Sequence, residues 1–278
     1  MSDIDVLPIY TDSTEAASGV TNAALGLVDW WAASGRAQTL DVGRLAFTIA
    51  EIRDALAAGP EHAVARMDDP RWFHGLDKAY GGRAANADDE LGGAFVAWVA
   101  ATRFHPTVVT ARIDKWHRQA TDALTEATRV QSTDPAKATH LLRESARALR
   151  LVLIEGWGER LGSMGREWTR FERMAAAHHQ ESLATRITVL AGADTSSATR
   201  RARLAPLWLQ ERIDLCYAAR VGIGEQVSWA ENARDQLAAF TVHVTRHRPD
   251  LDGPWTVTPD PALDAHLTEL GGLITRLG

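Results

Sequence analysis

The sequence is poor in several things whose absence narrows the reading. It has one cysteine, Cys216, among 278 residues. No internal disulfide can form, so stability must come from packing, and a reducing compartment fits. No stretch approaches the roughly 20 apolar residues that a membrane-crossing helix needs. Lysine is scarce, with arginine supplying 27 of the 30 basic residues. The glycines at 156, 158, 162 and 165 are not followed by Gly-Lys-Ser/Thr, which excludes a P-loop there, and no Gly-x-Ser-x-Gly nucleophile elbow occurs. Asp3 and Asp5 stand where a secretion signal would carry positive charge. The expectation is a cytoplasmic protein with no membrane partner.

What is present suits a globular chain of one large domain or two smaller ones, with 45% hydrophobic and 24% charged residues. The net charge of -6 is unevenly spread. Residues 1–102 carry 7 basic against 15 acidic side chains, residues 103–220 carry 19 against 13, and residues 221–278 carry 4 against 8. A basic middle can face a phosphate-bearing ligand or form solvated helix faces. The acidic flanks argue against a duplex nucleic-acid partner.

The apolar pattern predicts an α+β protein, predominantly α: a small N-terminal mixed β-sheet followed by a larger helical bundle. Residues 4–10 are β-branched and apolar, with Pro8 at an edge or strand end. Residues 13–33 have helical spacing, with Trp30 and Trp31 toward its end, and residues 39–47 read as a second strand. From Thr48 onward everything is helical. Thr48 and Glu51 form a capping box, Asp88 can cap the helix after Gly81-Gly82, and Asp134-Pro135 can open another. Single helices are expected over 106–130, 195–221, 225–247 and 261–277. The domain boundary is placed at the glycine pair, giving a partial α/β domain over 1–80 and a helical domain over 81–278. Trp30, Trp98, Trp116 and Trp208 read as core, as does Cys216. Trp157 and Trp168 flank the glycine-rich break, where they could pack in the core or stack a base or sugar. His243 and His247 have metal-ligand spacing but read as solvent-facing, since no third ligand accompanies them.

The informative segment is Ser2-Asp3-Ile4-Asp5. On a strand, Asp3 and Asp5 project to the same face about 7 Å apart. Two such carboxylates repel each other unless they are solvated or neutralised by a divalent cation. Asp41 is a lone carboxylate in the second apolar strand. If the strands are neighbours, three carboxylates meet, which is the donor set of a two-metal phosphoryl-transfer site.

This pattern resembles the nucleotidyltransferase superfamily that includes the kanamycin-type aminoglycoside nucleotidyltransferases, which carry a Ser-Asp-x-Asp strand, a helix, and a strand with a third Asp. The run around 141–149 and Trp168-Thr169-Arg170-Phe171-Glu172 is similar to the helical domain that closes over the substrate in that family. The resemblance implies transfer of a nucleoside monophosphate from an NTP to a small-molecule hydroxyl. In that arrangement Asp3, Asp5 and Asp41 hold two Mg²⁺ ions, Asp41 takes the acceptor proton, and Ser2 lies at the nucleotide. The partners implied are a nucleotide and a small acceptor. The family also carries a Gly-Ser pair ten or more residues before the Asp pair, which this sequence lacks. The expectation is therefore an N-terminally truncated or a degenerate member, the latter a non-catalytic binding or partner protein.

Overall fold

The computed structural model describes residues 4–11, 22–34, 40–42, 45–162 and 164–278. The fold is α+β and predominantly helical. Two compact units, Met1–Arg112 and Ile113–Gly278, divide the chain. The boundary lies inside a helix, and the glycine pair at 81–82 belongs to the first unit.

The first unit opens with β1 (Ile4–Val6), β2 (Ile9–Tyr10), α1 (Asn22–Ala33), β3 (Leu40–Val42) and β4 (Phe47–Thr48). Each expected strand is thus two short ones. Leu7 and Pro8 interrupt the first, and the Pro8 carbonyl accepts the Phe47 amide at 3.2 Å. β1 pairs with β3, and β2 with β4. Both pairs are parallel rather than mixed, since the chain passes through α1 before returning to the sheet.

Thr48 is the N-cap of α2 (Ile49–Ala58). Its hydroxyl accepts the Glu51 amide at 3.1 Å, and the Glu51 carboxylate accepts the Thr48 amide at 2.8 Å. This reciprocal box satisfies two amides that a helix start otherwise leaves unpaired. Gly59 and Pro60 end α2 and begin α3 (Pro60–Ala65). Asp69 caps α4 (Pro70–Ala79), and Asp89, one residue beyond the expected Asp88, caps α5 (Glu90–Thr102).

These helices close an aromatic core around β4. Phe47 is fully buried, with ring centroids 4.5 Å from Trp72 and 5.8 Å from Phe95. Burying a side chain such as Phe47 contributes about 1.5–3 kcal/mol. Gly75 permits the approach of α4, because a Cβ there would lie 2.7 Å from Phe47 Cζ.

The boundary between the units falls within α6 (Pro106–Val130). The second unit continues with α7 (Pro135–Gly156), capped by Asp134, then α8 (Glu167–Ala177), α9 (Glu181–Leu190), α10 (Thr195–Leu204), α11 (Leu207–Gly222), α12 (Trp229–His247) and α13 (Leu263–Leu277). The single helix expected over 195–221 is two. Pro206 has no amide to donate and holds Ala205 extended, at φ -68° and ψ 153°. The helix expected from Glu225 starts at Trp229 instead, behind a second capping box made by Ser228 and Glu231.

Leu142, Leu149, Trp168, Phe171, Ile187 and Leu270 centre one apolar cluster of this unit. Leu209, Ile213, Leu237, Val244 and Trp255 centre another. Trp98 is buried as expected, whereas Trp30 is 58% exposed and Trp208 38% exposed. Trp168 is fully buried, so it is core and not a stacking face. Cys216 is only half-buried, on a helix that turns Leu207 and Leu215 to solvent. Among the described residues, no helix is long and apolar enough to cross a membrane.

Candidate functional site

The β–α–β opening sets Asp5 and Asp41 in register. β1 and β3 align Ile4 with Leu40, Asp5 with Asp41 and Val6 with Val42. Neighbouring strands lie about 4.8 Å apart, so two acidic positions stand side by side. Such a pair needs a cation to offset its repulsion. Lys78, from the last turn of α4, supplies one: its Nζ is 2.9 Å from Asp5 Oδ1, and the Asp5 side chain remains 44% exposed. Ser2 and Asp3 lie outside the described residues, and for Asp41 the description extends to its backbone. Among the described residues, no group of three or more His, Cys, Asp or Glu side chains is placed to hold a metal. The register thus brings two acidic positions together, and Lys78 already engages one of the Asp5 oxygens.

Next to Lys78 in sequence, Asp77 has a different task. It accepts Arg103 Nε at 2.5 Å and Arg112 Nη2 at 2.6 Å, and both arginines are almost wholly buried. Arg112 also donates to the Phe73 carbonyl and lies over the Phe73 ring at 4.0 Å. This trio ties α4 to the chain beyond α5. A buried charge is tolerable only with such partners.

The second unit carries most of the basic middle of the sequence, and much of it is internal. The N-terminus of α8 has no side-chain cap of its own. Asp235 of α12 takes that place, accepting the Trp168 amide at 3.0 Å, the Thr169 amide at 3.2 Å and the Thr169 hydroxyl at 2.6 Å. Arg220 Nη1 donates to Asp235 Oδ2, the oxygen that also accepts the Thr169 hydroxyl, at 3.0 Å. Burial pushes the Asp235 carboxyl above its ordinary value even though Thr169 and Arg234 pull it down. Burial also raises Glu167, but the adjacent Arg150 and Arg147 outweigh it and hold that carboxyl below the usual range.

Arg166, Arg170 and Arg173 line a cavity of about 260 Å³ with Thr169, Ile223, Gly224 and Glu225. Arg166 is the N-cap of α8, and the spacing of Arg166, Arg170 and Arg173 puts them on one face of its N-terminal half. Glu225 is the cavity's carboxylate. A hydrogen bond from Arg220 at 2.8 Å, with Arg166 and Arg173 at 3.4 and 3.7 Å, keeps it ionised below its ordinary value. Arg170 donates to the Leu161 carbonyl, and burial followed by Arg166 and Arg160 lowers its own affinity for the proton. Three guanidiniums against one carboxylate leave a positive cleft suited to an anionic group. Thr169 and Arg170 belong to the run that resembles a substrate-closing helical domain, but neither this cleft nor Arg166, Arg173 and Glu225 was expected from the sequence. The usable signal was the arginine spacing at 166, 170 and 173. The side chains of His243 and His247 lie outside the description.

Comparison with known proteins gives no family model that matches the chain, no similar curated protein and no similar solved structure.

Proposed function

We propose that the protein is a nucleotidyltransferase-like enzyme that moves a nucleoside monophosphate from an NTP to a hydroxyl of a small acceptor. The observation that supports this reading is the register of Asp5 with Asp41 across a β–α–β crossover. Asp3, Asp5 and Asp41 are the residues that would hold Mg²⁺, and Ser2, next to Asp3 in sequence, would serve the nucleotide. The metal supplies charge neutralisation of the phosphates. Asp41 accepts the proton of the attacking hydroxyl, a role usually worth roughly 10²–10⁴-fold in rate.

The test is pyrophosphate release from each of the four NTPs with Mg²⁺ and a panel of polyhydroxylated acceptors. An acceptor-dependent signal that falls by roughly 10²–10⁴-fold in Asp41→Asn is expected. A rate and Mg²⁺ dependence unchanged in that variant would remove the mechanism.

A second reading, a binding or partner protein that keeps the fold without catalysis, is favoured by the ion pair between Lys78 and Asp5. Calorimetry with Mg-ATP separates the two. Absence of heat supports the binding protein, and heat that disappears in Asp5→Asn supports the enzyme.

A further inference from the structure

Arg201 of α10 is 8% exposed, yet the groups it touches are neutral. Its Nε donates to the Trp255 carbonyl at 2.7 Å, Nη1 to the Gly192 carbonyl at 3.3 Å and Nη2 to the Thr241 hydroxyl at 2.9 Å. Each terminal nitrogen keeps a second N–H beyond these bonds. Arg143 of α7 donates Nη1 to the Thr256 carbonyl at 3.2 Å. Among the described residues, neither arginine has a carboxylate within ion-pair distance. The carboxylates that act on them from further off have partners of their own. Asp194 caps α10 through the Ser197 amide, and Asp260 accepts the Ala262 amide and pairs with His266 at 2.7 Å.

These side chains surround one cavity of about 30 Å³, whose lining includes His140, Arg143, Glu144, Arg147, Arg201, Thr241 and Thr256. Arg147 donates to the Ala238 carbonyl at 3.2 Å and lies 3.7 Å from Glu167. Glu144, 38% exposed, stands 3.8 Å from His140. The backbone has made room for the cluster. Gly192 adopts φ +59°, and a Cβ on it would come within 2.6 Å of Arg143 Nε. Such a residue resists replacement for two separate reasons, its left-handed conformation and the arginine stacked against it.

Burying cations beside one another without a carboxylate costs several kcal/mol per ion. Burial first, and then Arg143 and Arg147, push Arg201 down to about 9. A polar cavity of this size has room for a couple of waters or for the oxygens of one small anionic group, and not for a nucleotide or a sugar. Guanidinium forks favour planar or tetrahedral oxyanions, which accept two parallel N–H bonds.

We propose that the Arg143–Arg201 cavity of the second unit is a binding site for a single small oxyanion, met by the remaining N–H groups of the two arginines, while the Thr241 hydroxyl, which donates to the Leu237 carbonyl at 2.7 Å, holds Arg201 in place. The ligand carries a full negative charge on at least two oxygens, as phosphate and carboxylate both do. It neutralises the cluster and locks α7, α10, α12 and the segment through Thr256 together. The site does not depend on the nucleotidyltransferase reading.

The experiment is thermal unfolding of the whole chain, titrated separately with inorganic phosphate and with acetate, against sodium chloride at matched ionic strength. A saturable rise in Tm is expected with one of the oxyanions, of roughly 5–10 °C at about 100 times Kd, and the more effective anion identifies the ligand class. The rise should vanish in Arg201→Gln and shrink in Arg143→Gln. If Arg201→Gln does not fold, Arg143→Gln together with ³¹P line broadening of inorganic phosphate decides the matter for the phosphate arm, and the acetate arm is decided by the Tm titration of Arg143→Gln. Tm values no higher in either oxyanion than in chloride overturn the site. So does an oxyanion effect retained in full by the arginine variants, which would mark a general salt effect.

Discussion

Two buried arginine clusters, one in each unit, are held in opposite ways. In the first, Arg103 and Arg112 share the Asp77 carboxylate at 2.5 and 2.6 Å, so each cation is paired with a carboxylate of the chain itself. In the second, Arg143 and Arg201 rest on carbonyls and a hydroxyl beside a cavity. A buried cation with a built-in carboxylate is part of the scaffold. A buried cation held by neutral oxygens is a scaffold that still has a charge to satisfy. On the oxyanion proposal, the same residue type serves stability in one cluster and recognition in the other, and the difference lies in what faces it.

The sharpest way to break this contrast is Asp77→Ala. It leaves two buried guanidiniums facing each other, and a loss of about 3–5 kcal/mol in urea unfolding is expected. A loss under about 1 kcal/mol would mean that the trio is not structural. Arg201→Met should behave differently. In buffer without oxyanions it removes an uncompensated charge at similar volume, so stability should stay within about 1 kcal/mol of the parent or rise. A loss comparable to that of Asp77→Ala would show that Arg201 is scaffold after all.

The smallest expected effect is a pH dependence in the first unit. Burial, then Arg66, lowers His62 below its ordinary 6.5 despite the opposing Asp54 and Glu51. Its Nε2 is buried without a hydrogen-bond partner among the described residues, and its ring lies against Trp72 at 4.4 Å. The folded state thus prefers the neutral imidazole, while the unfolded chain takes up a proton more readily. Stability should be intact above 6.5 and decline as pH falls below it toward the folded-state value. His62→Phe should flatten that slope in unfolding curves collected from about pH 5.5 to 7.5. An unchanged slope would exclude His62 as its source.

Much of the helical part was legible because its signals are local. The Thr48–Glu51 capping box, the Asp134-Pro135 start and the run from Pro106 to Val130 each depend on residues within one turn of the feature they create. That the two strands are neighbours was legible as a conditional, and the parallel register places Asp5 opposite Asp41, while Asp3 lies outside the described residues. The exposure of Trp30 was not, because helical periodicity says which residues share a face and not whether anything covers it. The break before Leu207 was written in Pro206, which cannot continue the amide ladder of the single helix expected over 195–221. The oxyanion cavity could not be read at all. It joins Arg143, Arg201 and Thr256 across more than a hundred residues, and it depends on a left-handed glycine whose sequence neighbours do not announce it.

The half-buried Cys216 has a practical consequence. It is the chain's only thiol, it sits on α11, and its neighbour Leu215 is 72% exposed. A maleimide dye or spin label attached there marks the second unit and leaves the first untouched. One chemical step therefore gives a way to watch the arginine-rich unit alone as anions are added or denaturant is raised, with no engineered cysteine and no competing site to remove.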